Sequence, residues 1–169
     1  KDSLVAHQQY LDECDEATLL AKASYQPGCD EGTFFAPRVY RLANLDLLEH
    51  EVFGPILHII HYEKKDLPKV LDSIHATGFG LTLGVHSRID STIEMITSYA
   101  RVGNQYVNRN TIGAVVGVQP FGGEGLSGTG PKAGGPHYLL RLCHERTLTV
   151  NTTAIGGNAT LMMMDDGLS

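Results

Sequence analysis

The feature that most constrains the fold is the alternation, between residues 55 and 108, of apolar β-branched runs with amphipathic helical patterns. The runs that predict strands cover residues 55–62, 79–85 and 105–108. The first run has so few polar residues that we expect a strand buried on both faces. The order β-α-β-α-β predicts an α/β fold with a parallel sheet and right-handed crossovers.

Two helices are predicted between these strands, because apolar residues recur there at helical spacing. Their apolar stripes consist of Leu67, Val70, Leu71 and Ile74 in the first helix and of Ile93, Ile96 and Ala100 in the second. Asp66 and Asp90 suit the N-caps, since a short polar side chain can accept hydrogen bonds from the free amides of a first turn. Gly78 and Gly103 suit the two helix ends.

Shorter elements are predicted on either side of this unit. Residues 3–23 predict a helix followed by a short second element, and residues 26–32 predict a loop. Residues 33–40 predict a strand, which Pro37 would confine to a sheet edge or a bulge because proline has no N–H to donate. Near the C-terminus, residues 147–153 alternate with period two, as expected of a half-exposed strand.

Composition argues against several classes of function. The formal net charge of −6 disfavours a sequence-independent nucleic-acid binder, which needs basic surface. No apolar stretch approaches the ~18 residues that a membrane helix requires. The three widely spaced cysteines, Cys14, Cys29 and Cys143, indicate a reducing compartment, and Cys143 has the setting of a buried or semi-buried structural thiol. The chain begins with Lys1 rather than methionine, and we expect it to be a piece of a longer protein.

Two motif matches are interpreted as accidental. Residues 123–128 fit the Gly-x-Gly-x-x-Gly pattern of dinucleotide-binding loops, which functions only where a helix begins. The prolines and glycines of residues 130–136 exclude such a helix. None of the eight histidines shows the helical i, i+4 pairing beside a carboxylate that a metal motif needs, so we predict no metal site.

Residues 51–55, Glu-Val-Phe-Gly-Pro, form the first candidate site, because they lie at the entrance to a predicted strand. The ionised carboxylate of Glu51 can accept hydrogen bonds from both hydroxyls of a ribose. The ring of Phe53 can lie flat against a nicotinamide. The alternative is an ordinary loop that enters a strand, with Phe53 in the core.

Residues 111–136 form the second candidate site, since so long an irregular stretch in a compact domain is usually functional. Small side chains in residues 110–117 leave successive backbone N–H groups accessible, which is the geometry of an anion-binding nest. Phe121 can supply one wall of an apolar substrate slot. The alternative is a glycine-rich surface loop.

Together the two segments resemble the aldehyde dehydrogenase superfamily, whose members carry Glu-x-Phe-Gly-Pro and, further on, Asn followed by Pro-Phe-Gly-Gly-x-x-x-Ser-Gly. This chain has both, in that order, at residues 51–55 and at Asn108 with residues 120–128. Residues 111–136 are more narrowly similar to the 1-pyrroline-5-carboxylate (glutamate-γ-semialdehyde) dehydrogenases. Residues 148–159 are similar to the bifunctional proline-utilisation proteins of bacteria.

The resemblance implies a role for each candidate residue. Glu51 would bind the nicotinamide ribose of NAD, and Phe53 would pack beside the nicotinamide. The amides of Gly113 and Ala114 would anchor the α-carboxylate of the substrate, which the nest favours independently, and Phe121 would flank its aliphatic chain. Such enzymes oxidise an aldehyde with a cysteine thiolate, NAD as hydride acceptor and a glutamate-activated water. The cysteine and the glutamate lie upstream in the family, so no catalytic residue is expected in this chain.

The resemblance also implies a partial aldehyde-dehydrogenase-like fold in three parts. Residues 1–145 would be the C-terminal portion of the catalytic domain, residues 146–162 an oligomerisation strand and residues 163–169 a tail. The partners would be the missing N-terminal part of the domain and further copies of the protein. FAD would belong only to a proline dehydrogenase part upstream. The location would be cytoplasmic, with peripheral association of the longer protein with the inner membrane left open.

Two other interpretations remain open from the sequence. The chain could come from a monofunctional pyrroline-carboxylate dehydrogenase, which upstream sequence would distinguish. It could also act only as a folding and oligomerisation module without a part in catalysis.

Overall fold

Helices and short strands alternate along most of the chain, and the computed structural model describes them within residues 2–25, 27–29, 32–112, 115, 117–128 and 130–151. The helices are α1 (Asp2–Glu13), α2 (Leu67–Ala76) and α3 (Asp90–Tyr99). The strands are β1 (Ala17–Lys22), β2 (Arg38–Leu42), β3 (Ile56–Ile60), β4 (Phe79–Gly80), β5 (Thr82–Val85), β6 (Asn104–Val107) and β7 (Glu124–Gly125). Short 3₁₀ helices cover Leu45–Leu47, Lys64–Asp66 and Leu139–Leu142. In this described part, no helix has the length and apolar character needed to cross a membrane.

The first sheet has the strand order β1-β2-β3, with β1 antiparallel and β3 parallel to the central strand β2. Helix α1 packs on this sheet, because Leu11 joins Tyr40 and Leu42 in one buried cluster. The hydroxyl of Tyr40 donates to Oδ1 of Asp12 at 2.6 Å, and this hydrogen bond holds the pKa of Asp12 below its ordinary value. Helix and sheet are therefore joined by an apolar contact and by a charge-assisted hydrogen bond.

The second core lies between α2, α3 and the parallel pair β5–β6. Leu67 and Leu71 from α2 meet Val85 from β5 and Ile96 from α3 in one buried cluster. These residues belong to the apolar pattern that predicts the elements, so the helical stripes face the core as expected. The α/β class and the parallel strand pairs are confirmed, although β3 and β5 belong to different sheets in the described residues.

The helices agree with the prediction except at their first turns and at the end of α3. This helix ends at Tyr99 with Ala100 as its C-cap, so the prediction that Gly103 closes it is wrong. Asp66 occupies the N-cap position of α2 but makes no capping hydrogen bond, because its carboxylate accepts instead from Nζ of Lys69 at 2.9 Å. Asp90 is the first residue of α3 and Ile89 is the N-cap, so the prediction that Asp90 caps this helix is wrong by one residue. In the first turn, Asp90 can still stabilise the helix through its dipole.

The predicted strands need three corrections. The strand predicted at residues 33–40 begins only at Arg38, after Pro37, and is central rather than at an edge. Its β-ladder is compatible with the proline because the strand starts beyond it. Strand β3 is not buried on both faces, since it lies at a sheet edge and Leu57 is 57% exposed. The strand predicted at residues 79–85 is divided at Leu81, because β4 pairs with β7 and β5 pairs with β6.

The predicted C-terminal strand is not found where the structure describes the chain. Residues 147–151 belong to no strand, and Leu148 is 85% exposed. A strand requires a neighbouring strand for its N–H and C=O groups, and the sheets of the described residues do not include residues 147–151. The rest of the predicted oligomerisation segment, residues 152–162, and the tail lie outside the described residues.

We expect Tyr40→Phe to lower the free energy of unfolding by about 1 kcal/mol, since it removes a hydrogen bond to a charged but solvent-exposed acceptor. Urea unfolding of the purified chain measures this change. Tyr62→Phe is the matched control, because Tyr62 is half-exposed and lies outside the buried clusters. Equal losses in the two variants would contradict the role assigned to the Tyr40 hydroxyl.

Candidate functional site

Residues 111–136 are called the glycine-rich segment below. The described residues of this segment fold back on the second core through backbone contacts. Strand β7 pairs antiparallel with β4, so that Gly125 faces Phe79. Gly125 has a φ of +59°, which favours glycine, and a β-carbon there would overlap the carbonyl oxygen of Gly78. Residues 123–128 contain a short strand and a turn but no helix, which agrees with the interpretation that the Gly-x-Gly-x-x-Gly match is accidental.

Phe121 is held by its backbone on both sides. Its N–H donates to the carbonyl of Ala133 at 3.0 Å, and its carbonyl accepts from the N–H of Ala133 at 2.9 Å. Asn104, the first residue of β6, is buried. Its side-chain amide bonds to the residues on both sides of Phe121. Nδ2 of Asn104 donates to the carbonyl of Pro120 at 3.0 Å, and Oδ1 accepts from the N–H of Gly122 at 3.3 Å.

Gly103 permits the close approach on which these hydrogen bonds depend. A β-carbon on Gly103 would overlap the carbonyl oxygen of Gly122 and lie 2.8 Å from the α-carbon of Gly123. The ammonium of Lys132 donates to the carbonyl of Gly103. Sequence reasoning interpreted Gly103 only as a helix end and did not identify Asn104. The available signal was a short polar side chain directly after Gly103, at the start of strand β6.

The segment that carries Glu51 and Phe53 lies before β3 and contacts helix α1. Gly54 has a φ of +152°, and a β-carbon there would lie 2.5 Å from Cδ1 of Leu4. Glu51 is exposed and Phe53 is 85% exposed. The alternative that placed Phe53 in the core of this chain is therefore wrong, because the contact with α1 is made by Gly54.

A cleft of about 540 Å³ lies beside Glu51 and is also lined by three histidines, His7, His50 and His58. Nε2 of His7 and Nε2 of His58 are 3.1 Å apart. Burial lowers the pKa of both rings, and the pKa of His7 is lowered further by His50. Two neutral rings can share one hydrogen bond if one donates and the other accepts, so this pair joins α1 to β3 beside the Glu51 segment.

The candidate residues are thus held by different elements. The Glu51 segment depends on α1 and β3, whereas Phe121 depends on β6 and Ala133. Gly113 and Ala114 lie outside the described residues. In the described part of the chain, no group of three or more histidines, cysteines and carboxylates could hold a metal ion. Cys143 is exposed rather than buried, because it follows the exposed 3₁₀ helix Leu139–Leu142.

Comparison with known proteins identifies one family. The model of the aldehyde dehydrogenase family matches residues 2–148. The bifunctional protein PutA of Klebsiella aerogenes is 62% identical over 110 residues, which are 65% of this chain and 8% of that protein. The chain therefore spans less than a tenth of the length of this curated relative.

Solved structures share the fold as well as the sequence. A crystal structure of a mutant of Bradyrhizobium japonicum proline utilization A (PutA) is 55% identical, with a TM-score of 0.82 over 90% of this chain and 15% of that chain. A structure of 1-pyrroline-5-carboxylate dehydrogenase from Thermus with bound NAD is 35% identical, with a TM-score of 0.71 over 82% of this chain and 26% of that chain.

We expect Gly103→Ala to loosen the glycine-rich segment, because the added methyl group would push Gly122 away from Asn104. Overpacking of this kind costs roughly 1–3 kcal/mol of stability. Hydrogen exchange at the Gly122 amide should become faster, since that amide bonds to Asn104. Gly28→Ala is the control for space, because a β-carbon there meets nothing within 4 Å, although the φ of +89° at Gly28 strains an alanine in a way that Gly103 does not. If the control accelerated exchange at Gly122 equally, the close approach would not be the cause.

Proposed function

This chain belongs to the aldehyde dehydrogenase family, and we propose that it is the C-terminal part of the 1-pyrroline-5-carboxylate dehydrogenase domain of a bifunctional proline-utilisation protein. The complete domain oxidises L-glutamate γ-semialdehyde to L-glutamate. The observation that carries this proposal is the likeness to PutA in both sequence and fold over nine tenths of the chain.

In this proposal, NAD is the hydride acceptor when bound, and this chain contributes to holding it. The carboxylate of Glu51 is exposed, so its oxygens can accept hydrogen bonds from the ribose hydroxyls. The exposed ring of Phe53 offers a flat apolar surface to the nicotinamide. Exposure of a phenylalanine costs free energy in the isolated chain, and this cost falls when the ring is covered.

The substrate contacts come from the glycine-rich segment. The amides of Gly113 and Ala114 would bind the α-carboxylate, and Phe121 would lie along the aliphatic chain of the semialdehyde. Support comes from the two-sided backbone anchoring of Phe121, because a side chain on a rigid segment can bind substrate without first being ordered. The cysteine nucleophile and the glutamate base belong to the upstream part of the domain.

The same proposal covers the rest of the protein. We assign residues 1–145 to the catalytic domain, residues 146–162 to an oligomerisation strand and residues 163–169 to a tail. The exposed side chain of Leu148 supports a partner at residues 146–162, since covering a large exposed apolar side chain lowers the free energy. FAD would be bound by a proline dehydrogenase part upstream. We place the protein in the cytoplasm.

The first test compares the chain with the complete protein. We expect the complete protein to reduce NAD in the presence of glutamate semialdehyde, followed by the absorbance of NADH. We expect the chain alone to give no turnover, because the nucleophile is upstream. Turnover by the chain alone would show that the nucleophile lies within it, and inactivity of the complete protein toward the semialdehyde would contradict the proposed function.

The second test separates the two binding sites by a pair of variants in the complete protein. Glu51→Gln should raise KM for NAD by at least about tenfold, since a hydrogen bond to a charged group is worth roughly 1.5–3 kcal/mol. Ala114→Asp should raise KM for the semialdehyde, because it places a carboxylate beside the carboxylate of the substrate. Each variant should leave the other KM unchanged. A change of both constants in either variant would refute the corresponding assignment.

A further inference from the structure

We propose that Asn104 is a positioning residue that fixes Phe121 against the substrate, an inference that rests on the function proposed above. Phe121 is the residue assigned to the aliphatic chain of the semialdehyde. Asn104 is not adjacent to Phe121 in sequence. It acts through the backbone on either side of Phe121.

The amide of Asn104 bonds to the residue before Phe121 and to the residue after it. Nδ2 donates to the carbonyl of Pro120, and Oδ1 accepts from the N–H of Gly122. This arrangement requires a donor and an acceptor on two separate atoms of one short side chain, which asparagine provides. An ionised carboxylate has no donor, and a hydroxyl carries both functions on a single oxygen. The side chain therefore defines both peptide groups that flank the phenylalanine.

Asn104 itself is held on a rigid element. It is 8% exposed, and its own N–H donates to the carbonyl of Leu81 at 3.0 Å. Strand β6 is paired in parallel with β5, whose Val85 belongs to the buried cluster of the second core. The two hydrogen bonds from Asn104 to Pro120 and Gly122 therefore fix the backbone around Phe121 relative to this core. Sites supported in this way bind ligands with a smaller loss of conformational entropy.

Burial makes the two hydrogen bonds energetically important. A buried amide is costly unless both of its polar atoms are paired, and here both are. When the side chain is removed, the Pro120 carbonyl and the Gly122 N–H lose their shared partner, so residues 120–122 gain freedom. The ring of Phe121 would then sample several positions. Substrate binding would be weakened by the free energy needed to order the ring.

The test uses the complete dehydrogenase that contains this chain. In Asn104→Ala, KM for glutamate semialdehyde should rise roughly tenfold, as expected for loss of about 1.4 kcal/mol of binding free energy. KM for NAD should not change, since Glu51 and Phe53 lie in the segment before β3. Asn104→Asp keeps the shape of the side chain but lacks the amide hydrogens for Pro120, and it should also raise KM for the semialdehyde. This variant is measured if Asn104→Ala does not fold.

A double-mutant cycle with Phe121→Ala distinguishes positioning from a general structural role. If Asn104 acts through Phe121, then Asn104→Ala should cause little further loss of kcat/KM in the Phe121→Ala background. Independent, multiplying losses would overturn the inference, as would an equal rise of KM for NAD. Two controls are Asn44→Ala, which removes an exposed asparagine that accepts from the N–H of Asp46, and Tyr40→Phe, which destabilises the first core. Neither should change KM for the semialdehyde.

The outcomes also separate this inference from the function on which it rests. If Phe121→Ala does not change KM for the semialdehyde, the assignment of Phe121 is wrong and the proposed substrate site fails. If Phe121→Ala raises this KM while Asn104→Ala leaves it unchanged, only the positioning role of Asn104 is refuted.

Discussion

The close backbone approach between Gly103 and Gly122 is the constraint on which the glycine-rich segment depends. At this point two chain segments are so near that a single β-carbon would overlap a carbonyl oxygen. The approach brings the amide of Asn104 within hydrogen-bond distance of Pro120 and Gly122. Because Phe121 lies between these two residues, its position follows from the packing of β6 and from the pairing of its own backbone with Ala133.

The segment that carries Glu51 and Phe53 is constrained in a comparable way, by its contact with helix α1. Gly54 allows the chain to pass over Leu4, and the pair formed by His7 and His58 joins the same helix to β3. The backbone before β3 is therefore supported, whereas Glu51 and Phe53 extend away from it and are exposed. Exposed side chains on a supported backbone are what the proposed function requires of this segment, because in that proposal the remaining groups of the site come from the upstream part of the domain.

Periodicity predicted the helices well and the strand partners poorly. The stripe that contains Leu67 and Leu71 and the stripe that contains Ile96 face a shared core, because helical spacing places them on one side of each helix. The edge assignment from Pro37 failed because the strand begins one residue later. The burial predicted for β3 failed because Leu57 is more than half exposed among the described residues. Of the candidate site residues, Glu51, Phe53 and Phe121 were found from motifs, whereas Asn104 was not. Its partners are distant in sequence, and a strand pattern contains no information about them.

The sequence by itself determined the α/β class, the two central helices and the family, because these depend on local spacing and on motifs that can be read in order. Only the tertiary structure decided which strands pair, which faces are open and how Phe121 is held. These features depend on contacts between residues far apart in the chain, such as Gly103 with Gly122 and Leu4 with Gly54. Such contacts are set by the space left between packed backbones, which no local pattern of residues specifies.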